Sequence, residues 1–401
     1  MDYSAYFAGA LARLRSERRY RVFADLERIA GRFPHAIWHS PQGPKNVVIW
    51  CSNDYLGMGQ HPKVIGAMVE TATRMGTGAG GTRNIAGNNH PLVELERELA
   101  DLHGKEAALV FTSGYISNQT GIATLARQMP NCLILSDALN HNSMIEGVRQ
   151  AQTEKQIFRH NDMAHLEEVL AAAGPELPKL IVFESLYSMD GDVAPLKEIS
   201  RLALAHEACL IADDAHATGI LGAAGSGLSA GADIVIGTFS KALGSFGAYV
   251  VCSATTRNYL INRCSGLIYS TALPPPVLGA IDAALDLVPG MDADRAYVAK
   301  LAARFRSGAQ ALGYDTAASA TQIVPLICGA PESALHLGER LRQSGFWATP
   351  IRPPTVPKGT ARVRLAFTRA HTESDVDLLL EAIADTANSV PAEPRARAHP
   401  A

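Results

Sequence analysis

The sequence predicts an α/β fold built on a largely parallel sheet, and three observations point to it. Short unbroken apolar runs recur through the middle of the chain, amphipathic helical stretches stand between them, and polar residues able to do chemistry collect where the runs end. The runs are AALVF (107–111), CLILS (132–136), KLIVFES (179–185), CLIADD (209–214), DIVIG (233–237) and AYVVCS (248–253). Their unbroken apolar character suits strands covered on both faces. Between them, PLVELERELADLHG (91–104) sets Leu92, Leu95, Leu99 and Leu102 on one helical face, and APLKEISRLALAHEA (194–208) repeats the pattern. Strand–helix alternation of this kind reads as α/β.

The two ends differ from this middle. Residues 1–45 are charged and helical around LARLRSERRYRVFADLERIAG, which predicts an N-terminal arm rather than a domain. A large domain is expected over 46–285. Beyond the Pro274-Pro275-Pro276 cluster, a long helix, the strand TQIVPLICG, the helix SALHLGERLRQSG, the strand RVRLAFT and a last helix predict a smaller α+β domain over 286–390. The tail, 391–401, is rich in proline, alanine and charge and predicts disorder.

With 401 residues, 47% of them hydrophobic, the chain can bury a sizeable core. A net charge of −3 argues against a nucleic-acid or membrane-surface partner, because no basic excess exists to neutralise phosphates. No apolar run has the ~18–20 residues needed to cross a bilayer, and MDYSAYF lacks the shape of a signal peptide. The six cysteines (Cys51, Cys132, Cys209, Cys252, Cys264, Cys328) are scattered without metal-ligand spacing. They read as reduced core residues of a cytoplasmic protein with no metal site. The sequon Asn118-Gln119-Thr120 carries no weight in that compartment.

Two glycine strings, GTGAGG (76–81) and GAAGSG (222–227), fit a dinucleotide fingerprint only as text. The first follows a helix rather than a strand, and the second reads as a mobile loop. IADDAHATG (211–219) says more, since it puts Asp213, Asp214 and His216 at the end of an apolar strand. Alone it fits a metal site, a catalytic carboxylate or a capped loop. In GTFSKALGSFG (237–247), Lys241 likewise follows an apolar run. Together, Asp213 and Lys241 suit a cofactor with a pyridine ring and an aldehyde. The carboxylate keeps the ring nitrogen protonated and the lysine forms the Schiff base. A phosphate on that cofactor would find Thr238, Ser240 and the helix opened by Ser113-Gly114-Tyr115. His141, just after CLILS, supplies a flat ring to lie over it.

These stretches, with SNDYLGMGQHP (52–62), ESLYSMDGDVAPL (184–196) and LIYSTALPPP (267–276), resemble the α-oxoamine synthases over about residues 10–390. These are fold type I pyridoxal-phosphate transferases that condense an amino acid with an acyl thioester. The resemblance implies a mostly parallel seven-stranded sheet between helices and a homodimer with shared active sites. By motif, Lys241 is the Schiff-base lysine, Asp213 partners the ring nitrogen and His141 stacks on the ring. His216 and Ser188 reach its phenolic oxygen. Gly114, Tyr115, Thr238 and Ser240 hold the phosphate, with Thr271 from the partner subunit. Arg364 grips the amino-acid carboxylate, assisted by Asn53.

Within the family the first half is similar to the members that join glycine to succinyl-CoA, giving 5-aminolevulinate for heme biosynthesis. There the arginine matching Arg21 takes the succinyl carboxylate, while Thr82, Asn84 and Ile85 shape the acyl and glycine pockets. The second half is more similar to members that join alanine to a pimeloyl thioester, giving 8-amino-7-oxononanoate. Asp214-Ala215 and Gly87-Asn88 depart from the glycine-specific pattern, and Thr355 fits either. Since selectivity is read mainly in the first half, glycine and succinyl-CoA are the expected substrates. A catalytically dead partner subunit is disfavoured because Lys241, Asp213 and His216 are all present.

Overall fold

The structure is a computed structural model and describes residues 1–388; the tail expected to be disordered, 391–401, lies outside them. The chain divides into two compact units, residues 53–298 and residues 1–52 with those from 299 onward. It opens with a helix over Tyr3–Ser16, capped by the Asp2 side chain, which accepts from the Ala5 N–H at 3.1 Å. Where the sequence predicts a helical arm over 1–45, the helix ends at Ser16 and Arg18 turns into left-handed backbone at φ 53°. Three strands then follow, β1 (Leu26–Arg28), β2 (His35–Ser40) and β3 (Gly43–Ile49), paired antiparallel in that order. Alternation explains both the fold and the misreading. Ala36, Val47 and Ile49 face a small core, while the intervening polar residues hide the strand pattern from a search for unbroken apolar runs.

In the unit 53–298, seven strands make one sheet: β4 (Ala107–Phe111), β5 (Leu133–Asp137), β6 (Glu154–Phe158), β7 (Lys179–Glu184), β8 (Ala208–Asp213), β9 (Ile234–Thr238) and β10 (Ala248–Cys252). The spatial order is β4-β10-β9-β8-β7-β5-β6. The five strands from β9 to β6 are parallel neighbours, and β10 runs antiparallel between β4 and β9. Six strands are the six apolar runs. The seventh, β6, is an edge strand whose side chains are mostly exposed, so it carries no such run. The helix His90–Leu102 buries Leu92, Leu95 and Leu99, and the helix Leu196–Ala205 buries Ile199, Leu202 and Ala203, each at the spacing expected. Because β4, β5, β7, β8 and β9 point the same way, their ends gather at one edge of the sheet. This edge collects the chain's polar chemistry.

Residues 1–52 belong with the C-terminal part through a short parallel pairing, β12 (Phe346–Trp347) on β3. There Trp38 and Trp347 lie 5.2 Å apart, with the Arg342 guanidinium 4.8 Å above the Trp347 ring. The remaining strands, β11 (Ile323–Gly329), β13 (Thr349–Ile351) and β14 (Ala361–Ala366), form an antiparallel sheet with β14 at its centre. The expected helices appear over Asp292–Ala311, Pro331–Gln343 and Glu373–Asn388. Among the described residues no helix is long and apolar enough to cross a membrane. All six cysteines are unpaired thiols.

Candidate active site

Lys241 sits three residues past the end of β9, half-buried, in a turn closed by Ser245 N–H to Phe239 O at 2.8 Å and Gly244 N–H to Lys241 O at 2.9 Å. The glycines of GTFSKALGSFG make this turn possible. Gly244 adopts φ 62°, and a Cβ there would fall 2.0 Å from the Gly59 nitrogen. The lysine is therefore presented at the sheet edge by a backbone that only glycine can follow.

Asp213 ends β8 and is 7% exposed. The Asn118 amide donates to its Oδ2 at 2.6 Å and the Ala215 N–H to its Oδ1 at 2.8 Å. Beside it, His141 caps the helix Asn142–Ala151, with its Nδ1 2.7 Å from Ser143 Oγ. The residue is exposed, yet desolvation of the ring lowers its pKa below the ordinary histidine value. The Lys241 ammonium pushes the same way and Asp213 opposes. The imidazole thus stays neutral, and both charges are felt at it. Buried Glu184, at the end of β7, is raised to about 8 by desolvation and by Asp213, with Lys241 opposing. Its Oε2 accepts from the Ser188 N–H at 3.2 Å. His216 is buried, and its Nδ1 lies 2.7 Å from the Tyr55 hydroxyl, which donates on to Asn53 Oδ1 at 3.2 Å.

A candidate anion seat lies alongside. Ser113 caps the helix Gly114–Gln128, and a Cβ at Gly114 would come 4.0 Å from the Cβ and Oγ1 of Thr238. Thr238 Oγ1 and Ser240 Oγ are 2.8 Å apart. First-turn N–H groups, two hydroxyls and a side-chain-free gap make a cradle for an anion. With the buried acid and the neutral ring of His141 close by, the residues fit pyridoxal 5'-phosphate. Tyr115 is partly exposed and its hydroxyl donates to Asn142 Oδ1 at 3.2 Å.

The other expected residues form further groups. Thr82 and Thr271 are opposed in an isolated β-bridge, steadied by the Ala272 N–H to Gly81 O at 3.1 Å. Asn84 and Ile85 follow Thr82 in an exposed turn whose Arg83 pairs with Glu96. In the unit 1–52 with 299 onward, Arg21 Nη2 donates to Thr355 Oγ1 at 3.4 Å, although 334 residues separate them. Arg364 lies buried on β14, opposite Thr349 and Pro325.

Sequence reasoning passed over several polar groups here. Asn118, dismissed as a sequon, is buried against Asp213; its only sequence signal was a polar residue on the inward face of a buried helix. Asp214 turns to the backbone of a neighbouring loop. It accepts from the N–H groups of Leu228 (2.8 Å) and Ser229 (3.1 Å) and from the Ser229 hydroxyl, so the loop over 222–227, expected to be mobile, is fastened at its end. His160 was missed entirely. Its Nδ1 meets Asp137 Oδ1 and its Nε2 meets Asp192 Oδ2, both at 2.9 Å. Burial alone would lower its pKa, but the two carboxylates raise it from 6.5 to about 10. The imidazolium ties the end of β5, which precedes His141, to the loop that carries Ser188. A raised folded-state pKa means the stabilisation is complete below the unfolded value and disappears as pH climbs through about 10. His160→Gln should therefore cost about 3 kcal/mol at pH 7, and the gap to the parent should narrow towards pH 10, as read from Tm at both pH values. An equal gap at both would refute the charged clamp.

Comparison with known proteins bears on the same residues. The family described as aminotransferase class I and II matches residues 45–383. The chain is 55% identical over 390 residues to 5-aminolevulinate synthase of Bradyrhizobium diazoefficiens, covering 96% of this chain and 95% of that one. It is 47% identical over 345 residues to 8-amino-7-oxononanoate synthase of Gluconacetobacter diazotrophicus, covering 84% and 87%. A solved structure of SPT with PLP superposes with a TM-score of 0.89 at 28% identity, covering 97% of this chain and 99% of that one. Likeness that runs from end to end, carried on a sheet whose edge can seat the cofactor, leads to one assignment. This chain belongs to the α-oxoamine synthases, a family of fold type I pyridoxal-phosphate acyltransferases.

Proposed function

We propose that this chain joins the α-carbon of glycine to the thioester carbonyl of succinyl-CoA, releasing CoA and then carbon dioxide to leave 5-aminolevulinate. The observation that carries the reading is the 55% identity, over 96% of the chain, to a relative named for that product. Bound pyridoxal phosphate supplies an aldehyde that links to an amine and a pyridinium ring that accepts the electron pair left at the α-carbon. The chain's residues do the rest. Lys241 would hold the cofactor's aldehyde, and its free amine would take the α-proton and later return one. Asp213 holds a proton on the ring nitrogen, and its own two hydrogen bonds keep it oriented. His141 would stack on the ring as a neutral imidazole, and His216, held by Tyr55, would serve the phenolic oxygen with Ser188. Gly114, Tyr115, Thr238 and Ser240 seat the phosphate, joined by Thr271 across a homodimer with shared active sites in the cytoplasm.

Arg364 and Asn53 receive the carboxylate of glycine. Arg21 receives the free carboxylate of the succinyl group, a role supported by its placement beside Thr355, 3.4 Å from the guanidinium. Thr82, Asn84 and Ile85 limit the size of both substrates. The second reading, alanine with a pimeloyl thioester, is favoured by relatives at 47% identity and by the character of the second half. CoA release measured with each amino acid against each thioester separates the two. Turnover is expected with glycine and succinyl-CoA; turnover with alanine and the pimeloyl thioester alone would overturn the proposal. Arg21→Leu should raise KM for succinyl-CoA by about 10-fold or more and spare kcat, the loss expected for one charge-assisted hydrogen bond.

A further inference from the structure

Four polar side chains between the two helices at the sheet edge form an unbroken line: His141, Ser143, Asn118 and Asp213. The separations are 2.7 Å from His141 Nδ1 to Ser143 Oγ, 3.0 Å from Ser143 Oγ to Asn118 Nδ2, and 2.6 Å from Asn118 Nδ2 to Asp213 Oδ2. Ser143 and Asn118 are 0% and 2% exposed, so water does not compete for them. The line closes because Gly147 lets the helices touch; a Cβ there would fall 2.8 Å from the Asn118 carbonyl oxygen.

Proton positions along the line follow from one end. A carboxylate only accepts, so Asn118 must turn its NH2 group towards Asp213. The second proton of that NH2 then goes to Ser143 Oγ. The serine hydroxyl proton is left for His141 Nδ1, which therefore carries a lone pair, and the ring keeps its proton on Nε2. The Ser143 N–H points at the same Nδ1 from 3.2 Å, which also requires a lone pair there. The cost of this orientation is visible, since Asn118 Oδ1 is buried with no hydrogen-bond partner. Rotating the amide would satisfy that oxygen at the expense of facing it against the carboxylate.

We propose that Asn118 and Ser143 are positioning residues that wire the stacking histidine to the ring-nitrogen acid, so that the tautomer of His141 and the orientation of the Asp213 carboxylate are set as one unit. The inference rests on the roles given above to His141 and Asp213. The charge of Asp213 is also felt at Glu184 from β7 and at Tyr249 from β10, and neither lies on this line.

The test uses full-length protein and two readouts besides turnover: the Kd for pyridoxal phosphate added to apoenzyme, and the pH midpoint at which the visible band of the bound cofactor titrates. Asn118→Asp keeps the shape and replaces the donor with a second carboxylate, so that a proton is shared with Asp213. It should weaken cofactor binding about 10-fold and move the midpoint by about one unit or more. Ser143→Ala breaks only the histidine end and should move the midpoint less. The double variant should move it no further than Asn118→Asp alone, because the line is already cut. A midpoint and Kd unchanged in Asn118→Asp, or single effects that add in full, would overturn the proposal. If Asn118→Asp does not fold, an unchanged midpoint in Ser143→Ala overturns it by itself. Asp213→Asn serves as the reference. Cofactor affinity unchanged in Asp213→Asn would refute the underlying role of the aspartate, whereas weakened affinity there with Asn118→Asp silent would refute only the wiring.

Discussion

Lys241→Ala is expected to lower kcat for aminoketone formation by about 10,000-fold and to abolish the visible absorption that the cofactor owes to its link with the protein. The size of the effect follows from two roles held by one amine. In the proposed mechanism it is both the chain's own group that joins the aldehyde and the base that moves the α-proton. No neighbour can substitute for it. His141 is neutral and bonded through Nδ1 to Ser143, and Glu184, raised to about 8, is buried beneath Ser188. Stability should barely change. The substitution leaves in place the two backbone bonds that close the turn, Gly244 N–H to Lys241 O and Ser245 N–H to Phe239 O. A folded variant that keeps both turnover and the visible band would remove Lys241 from the mechanism. A variant that loses its fold would instead point to a structural lysine.

That residue was legible in the sequence, and so was most of the sheet edge around it. Strands covered on both faces announce themselves as apolar runs, and the polar residue after each run is then a candidate at once. Asp213 and Lys241 were found in this way. Among the strands that escaped, β1 to β3 and β6 are edge or one-sided strands whose alternation is diluted by lysine, glutamate and glutamine, while β12 and β13 are only two and three residues long. The side chains that escaped work across long separations. Tyr55 meets His216 over 161 residues and Asn118 meets Asp213 over 95, and no local pattern marks either pair. His160 was invisible for a related reason. A histidine becomes a fixed cation only through the two carboxylates that enclose it, and those arrive from the end of β5 and a distant loop. Paired residues such as Asp213-Asp214 were legible as important while their division of labour was not.

That division gives the second large effect. Asp213→Asn should lower kcat by about 1,000-fold while Tm stays within a few degrees, because the amide fills the same space but no longer favours a proton on the ring nitrogen. Asp214→Ala should do the reverse. The Asp214 carboxyl is 1% exposed, and burial raises its pKa. It is retained because it accepts from two backbone N–H groups and the Ser229 hydroxyl, all of which would be left unsatisfied. Gly227 packs onto it so closely that a Cβ there would sit 2.2 Å from its Oδ2, so the alanine variant also opens a gap beneath the loop. The expected cost is about 3–5 kcal/mol of stability, with kcat of the remaining folded enzyme reduced only several-fold. Thermal unfolding and steady-state CoA release on the same two preparations decide the matter. An Asp213→Asn protein that unfolds early, together with an Asp214→Ala protein that is stable and inactive, would exchange the two roles. If both variants lost activity at full stability, the pair would be acting jointly on the cofactor, and the loop-fastening role of Asp214 would fall.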